Sequence, residues 1–310
     1  MLQLSDIQQA QARLANYLTP TLLEPAPKLG ESIYLKLENT NRTHSFKIRG
    51  ALNAILALDA EARQRGIVAA SSGNHAQGVA FAAQLVGAQA TILMPRHTPK
   101  KKVEGVLQCG AEAALFGNNY DETEEEALRM VSEENLTYIS PYNDLMVMAG
   151  AGTIGLEIIE QLSTVEQVVV CVSGGGLISG VATAVKALKP DCRVIGVCAE
   201  SAPSMYNLFY GTDKPENWDT LAEALSGGIE ADSLTIAVTR QQVDEIVLVT
   251  EAQIAEAMRF MLGTQGWLVE GGGAVGVAAM LHGLLDTDAI SAVVVSGGNV
   301  DLSTLQQVLA

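Results

Sequence analysis

The run VVVCVSGGGLISGVATAV, residues 168–185, constrains the fold more than any other stretch. Its opening apolar residues, mostly β-branched, suit a strand buried on both faces. Glycines follow at once, and a helical stretch begins at Ile178. A strand that enters a helix through a tight glycine turn belongs to an open parallel sheet. The alternation recurs along the chain. Strands are expected at Tyr34–Leu37, Ile67–Ala70, Ala90–Met94, Val168–Val172, Val194–Cys198, Ile246–Val249 and Ala292–Val295. Helices are expected at Asn74–Leu85, Lys100–Cys109, Tyr120–Asn135, Met146–Leu162, Ile178–Leu188, Glu251–Leu262 and Ala274–Leu285. The fold class is therefore α/β, with open, mostly parallel sheets and helices on both faces. At 310 residues, 48% of them hydrophobic, the chain can fill one large α/β unit or two lobes. Residues 201–244 read as irregular, and DETEEEALRMVSEEN as a solvated helix face.

Charge and cysteine usage narrow the partners. A net charge of −16 opposes binding to nucleic acid or to an anionic membrane. The four cysteines (Cys109, Cys171, Cys192, Cys198) form no CxxC pair and no zinc spacing, which fits free thiols in a reducing cytoplasm. The first residues, MLQLSDIQQAQARL, are polar and helix-patterned rather than a signal peptide. The most apolar run is broken by glycines and serines, so a membrane span is not expected.

Ligands collect beyond the carboxyl ends of parallel strands. Three such ends are polar and glycine-containing: Ser71-Ser72-Gly73-Asn74-His75, Ser173-Gly174-Gly175-Gly176, and Ser296-Gly297-Gly298-Asn299. The Ser173–Gly176 turn enters a helix, where converging N–H groups hold an anion, most often phosphate. GAGTIG at Gly150–Gly155 matches a dinucleotide pattern, but helix precedes and follows it, so it reads as close helix packing. Without a Walker sequence, a GxSxG elbow or HExxH, nucleotide hydrolysis, serine hydrolysis and zinc hydrolysis have no support. Lys47, in NRTHSFKIRG, stands at a helix entry, where a cation is disfavoured. An uncharged amine attacks carbonyls. A lysine, a phosphate cup and a polar turn together suit pyridoxal 5'-phosphate, which carries a phosphate and an aldehyde.

SFKIRGALNA, SSGNHAQGVA, SGGGLISG and SGGNVD stand in one order and spacing. On these motifs the chain resembles the fold-type II pyridoxal phosphate enzymes, in particular the threonine/serine dehydratase and serine racemase family, from Thr19 to Asp301. The resemblance implies a two-domain fold: residues 1–66 and 145–310 forming a large cofactor-binding domain, and 67–144 a small domain that grips substrate. It implies that Lys47 forms the Schiff base and acts as acid/base, and that Phe46 packs on the pyridine ring. Asn74 would bond the phenolic oxygen, and Gly174, Gly175, Gly176 and Leu177 would cradle the phosphate, with Ser173 a further donor. Ser296 would be a neutral partner of the ring nitrogen. Ser71, Ser72, Gly73, Asn74 and His75 would hold the substrate carboxylate.

The implied reaction is β-elimination of water from a β-hydroxy L-amino acid, threonine or serine first, giving a 2-oxo acid and ammonia. A racemase on the same scaffold is the alternative, with Ser72 returning a proton opposite Lys47. Larger substrates such as 3-hydroxyaspartate or phenylserine types also remain open. The family resemblance further implies a homodimer or homotetramer. The sequence departs from the family at Glu223-Ala224, where relatives read ADG, and at Tyr206, where cation-binding relatives carry Asp downstream of the position of Glu200; no metal site is expected. No regulatory domain is expected after SGGNVD.

Overall fold

The seven apolar runs that read as strands all pair into sheets, within one residue of the expected bounds. The structure, a computed structural model, describes residues 1–310. Its strands are β1 (Leu23–Pro25), β2 (Ile33–Leu37), β3 (Ile67–Ala70), β4 (Ala90–Met94), β5 (Glu112–Leu115), β6 (Thr137–Tyr138), β7 (Gln167–Cys171), β8 (Arg193–Ala199), β9 (Glu245–Val249) and β10 (Ser291–Val295). One six-stranded sheet has the order β1-β2-β10-β7-β8-β9, parallel except for β1. A four-stranded parallel sheet has the order β5-β4-β3-β6.

Every residue of β7 and β10 is buried, as strands covered on both faces require. The helix Gly271–Leu281 packs where Gly276 meets Val293 and Val169. The helix Gly176–Leu188 covers the other face through Ile178, which reaches Gly196 beside Val172. Because β7 and β10 are parallel neighbours, the Ser173 and Ser296 turns leave the same edge side by side.

Each sheet has its own apolar core. The helix Lys47–Ala57 sends Ile48, Leu52 and Ile55 into the core beneath the four-stranded sheet. That spacing forms one helical stripe. On another side, Gly50 and Gly150 let this helix meet the helix Leu145–Gln161 backbone to backbone. Gly152 of the latter meets Gly180 in the same way. The GAGTIG stretch is therefore helix packing, as its context indicates.

The expectation that residues 201–244 are irregular is corrected. Helices Ser204–Tyr210 and Leu234–Gln242 lie within them. The second buries Thr235, Val238 and Thr239. A buried face with threonine at two of its three positions gives a weak apolar period, which explains why it is hard to read.

Candidate active site

Lys47 is the first residue of its helix, and the loop before it is tied to the turn after β10. Phe46 N–H donates to Ser296 O at 3.0 Å, Gly298 N–H donates to His44 O at 2.9 Å, and Ser45 bridges Gly297. The helix is held from behind by Arg49. Its guanidinium donates to Glu38 at 2.8 and 2.9 Å and to Glu157 at 2.5 and 2.9 Å. Lys36 Nζ donates to the same Glu157 at 2.6 Å, so two cations and two carboxylates are buried together. Burial alone would raise the Glu38 pKa, but the charge and hydrogen bonds of Arg49 hold it below the usual carboxylate range.

The Lys47 amine donates to Pro141 O at 2.7 Å and lies 5.2 Å from the centroid of the Phe46 ring. Burial lowers its pKa to about 8, against the opposing pull of Cys171 and Glu270. Desolvation thus favours the neutral amine at the helix entry. Phe46 itself packs partly buried against the core of the large sheet.

The residue after Pro141 connects the amine to the glycine turn. Tyr142 packs its ring on Gly174 and its backbone on Gly176, so closely that a Cβ at either glycine would fall within 3 Å of it. Gly175 has φ +85° and caps the helix Gly176–Leu188 without a side-chain bond. Thr235 Oγ1 donates to Gly174 O at 2.6 Å and fixes the turn from the far side. No protein group accepts from the N–H groups of Gly174, Gly175, Gly176, Leu177 or Ile178, although all five residues are buried. Buried N–H groups are almost always paired, so five in a row at a helix N-terminus mark an anion site. Leu177 offers only its N–H, since its side chain belongs to the core. The Ser173 side chain is half-buried and makes no hydrogen bond to protein.

The Ser71–His75 turn follows β3 and opens the helix Asn74–Val86. Gly73 N–H donates to Ser71 Oγ at 3.2 Å. Gly73 caps the helix without a side-chain bond, and the N–H groups of Asn74, His75 and Ala76 have no protein acceptor. Gly78 brings this helix against the backbone of Lys47. His75 Nε2 contacts Ile139 O at 2.8 Å. A carbonyl only accepts, so Nε2 carries the proton and Nδ1 is a buried acceptor without a partner. Burial, then the nearby Lys47, lower the His75 pKa to about 3, so the ring is neutral. Ser72 is half-buried, and its hydroxyl bonds no protein group.

Ser296 leaves β10 and donates to Gly272 O at 3.3 Å. Asn74 Nδ2 donates to Glu270 at 2.6 Å, and Asn299 Nδ2 donates to Asn74 Oδ1 at 2.8 Å. Burial raises the Glu270 pKa to about 7. Cys171, at the end of β7, is a buried thiol raised to about 11 by burial. Sequence reasoning missed Glu270, Tyr142, Thr235 and Cys171 as site neighbours. Glu270 carried a signal: VEGGG is a further glycine run that enters a helix.

These groups fit a ligand with an anionic end, a carbonyl for an amine, an oxygen that accepts from an amide and a ring nitrogen. Pyridoxal phosphate has all four. The chain matches the family described as pyridoxal-phosphate dependent enzyme over residues 13–297. An L-threonine ammonia-lyase of Thermotoga maritima is 46% identical over 315 aligned positions, covering 100% of this chain and 78% of the relative. The L-threonine dehydratase catabolic TdcB of Staphylococcus aureus is 40% identical over 320 positions, covering 100% and 92%. Among solved structures, maize serine racemase superposes with a TM-score of 0.92 at 34% identity, covering 99% of this chain and 97% of that one. The processed form of threonine deaminase isoform 2 from Solanum lycopersicum gives 0.92 at 35% identity, covering 99% and 86%. The chain belongs to the pyridoxal-phosphate dependent enzymes.

Proposed function

We propose that the protein is a threonine/serine ammonia-lyase, which removes water from a β-hydroxy L-amino acid and releases a 2-oxo acid and ammonia. The observation that carries this reading is a buried lysine amine of lowered pKa, separated by Pro141-Tyr142 from five unpartnered N–H groups. The two relatives above, named for threonine ammonia-lyase and threonine dehydratase activity at 46% and 40% identity, support threonine as the first substrate. Bound pyridoxal phosphate would supply an electron sink for the pair left when the α-proton departs.

Under this reading the chain's own residues do the following. The N–H groups of Gly174–Ile178 would hold the phosphate, with the helix dipole behind them. Lys47 Nζ would hold the cofactor, and the same amine, when free, would take the α-proton. Asn74 Nδ2, which donates one N–H to Glu270, would donate the other to the ring's phenolic oxygen. Ser296 would offer the ring nitrogen a hydroxyl, which would not keep it protonated as a carboxylate would. A weaker electron sink of this kind would favour prompt loss of the β-hydroxyl. The free N–H groups of Asn74, His75 and Ala76 take the substrate carboxylate, and Ser71 holds their turn. Residues 67–144 act as the small domain, closing on residues 1–66 and 145–310 to exclude water. The assembly is read as a homodimer or homotetramer and the location as cytoplasmic; no helix is long and apolar enough to cross a membrane.

The test is direct. Purified protein with L-threonine and L-serine should yield 2-oxobutanoate and pyruvate, and Lys47→Ala should lower turnover by about 10³-fold or more. Protein that is colourless and without 2-oxo acid production would sink the proposal. Ser72 and the likeness to a serine racemase support a second reading. Appearance of D-serine from L-serine, lost in Ser72→Ala, would establish it.

A further inference from the structure

Glu270 is a buried carboxylate that the proposed reaction does not use, yet it is built into the site. It sits at the start of the helix Gly271–Leu281, and its backbone N–H donates to Gly297 O at 3.2 Å. The backbone of Gly297 lies so close to Glu270 Oε1 that any Cβ at Gly297 would overlap it. Asn74 Nδ2 donates to this same oxygen at 2.6 Å.

The polarity of this chain of bonds is fully determined. Asn299 Nδ2 donates to the carbonyl of Thr43 at 2.9 Å. A carbonyl only accepts, so Asn299 must present its NH2 there, and therefore also toward Asn74. Asn74 answers with Oδ1 at 2.8 Å. Its NH2 is then turned to Glu270, which, ionised, can only accept. Two acceptor-only ends, the Thr43 carbonyl and the Glu270 carboxylate, fix both amides. Asn74 is left with one free N–H and no free lone pair on that side, a pure donor for an acceptor oxygen.

We propose that Glu270 is a positioning residue: together with Asn299 on the opposite side, it holds the Asn74 amide as a donor, so that the site accepts the cofactor only with its phenolic oxygen against Asn74. The inference rests on the proposed cofactor role of Asn74. Glu270 does not act alone electrostatically. Glu223 faces it and raises its pKa, and Lys102 lowers it. Glu270 in turn acts on Lys47 and on Cys171. With its own carboxyl pushed up to about 7 by burial, Glu270 loses its charge as pH falls through neutrality. A protonated carboxyl can donate as well as accept, so the hold on Asn74 loosens on the acid side.

The test uses holoenzyme and follows the release of pyridoxal phosphate on dilution, by its visible absorbance, between pH 6 and 9. Wild type should release it faster as pH falls through about 7. Glu270→Gln keeps a carbonyl for Asn74 and has no charge to lose. It should match wild type within about threefold at pH 8 and show a flatter profile below it. Glu270→Ala should release cofactor about tenfold faster at pH 8 or more, with kcat falling more than KM rises. Wild-type release from Glu270→Ala, or the wild-type pH step retained in Glu270→Gln, would overturn the proposal. If Glu270→Ala fails to fold, the Glu270→Gln profile alone decides. Wild-type protein that carries no cofactor would refute the function itself; cofactor bound equally well in all three proteins refutes only the role of Glu270.

Discussion

Lys47 and Glu270 carry opposite formal charges, and burial pushes both toward neutrality. For Lys47 the pKa is lowered to about 8 from 10.5. In cofactor-free protein this makes a charged amine costly to the fold below pH 8. The cost is relieved between about 8 and 10.5, where the folded amine is neutral and the unfolded one still protonated. The neutral amine is also the nucleophile. The rate at which cofactor-free protein captures pyridoxal phosphate should therefore rise with pH and level off near 8. Stopped-flow absorbance measures this, and a rate still climbing steadily to pH 10 would mean the amine is unperturbed. His75, at about 3, stays neutral and contributes no step to that profile.

The helix Lys47–Ala57 is where local chemistry and packing meet. Its first residue is the lysine, its third is Arg49, and its fourth, Gly50, is crossed by Val147 of a neighbouring helix. Arg49 is 2% exposed and Glu38 is fully buried, so removing one partner strands a charge. Arg49→Leu should cost about 3–5 kcal/mol, read as a lower midpoint in urea unfolding. Gly150→Ala drives a methyl into the Arg49 carbonyl and should cost about 1–3 kcal/mol, with a matching fall in Tm. The glycines of GAGTIG were visible as a small-residue stretch in a helix. Their partner was not, since no local pattern says which helix comes so close. Elements of low periodicity escaped reading for a related reason. β1, β5 and β6 have three, four and two residues, and EAAL has little β-propensity. The helix expected from Ala274 begins three glycines earlier, at Gly271. Glycine is a poor helix former, and only the contacts of Gly271 with Leu221 and of Gly273 with Gly297 explain its presence there.

At the scale of the whole molecule, contacts across the two sheets connect binding to motion. Lys102, on the helix Lys100–Gln108 beside the four-stranded sheet, reaches Glu223 at 3.2 Å and Asp301 at 3.6 Å, both from segments that belong with the larger sheet. Glu223 is well exposed, so these pairs are weak and screened by salt. If closure of residues 67–144 accompanies substrate binding, Lys102→Ala should raise KM for threonine about twofold to fivefold at low salt. kcat should change little, and the effect should disappear in 0.5 M salt. Steady-state kinetics at two ionic strengths separates this from a lost structural contact, which salt would not erase.

The sequence by itself determined the α/β class, the seven principal strands and the three polar strand ends. Period and turn chemistry are local properties, and parallel strands buried on both faces write them plainly. It also singled out Lys47 by its position and the Ser173–Gly176 turn by its glycines. The tertiary structure decided what those features face. Burial lowers the Lys47 pKa. Tyr142, 32 positions before Gly174 in the chain, closes over Gly174 and Gly176. Thr43, Asn299, Asn74 and Glu270 come from four separate segments and settle one amide's orientation between them. Desolvation and hydrogen-bond polarity depend on every atom that surrounds a group, and those neighbours are set by the packing of distant segments rather than by the residues beside it in the chain.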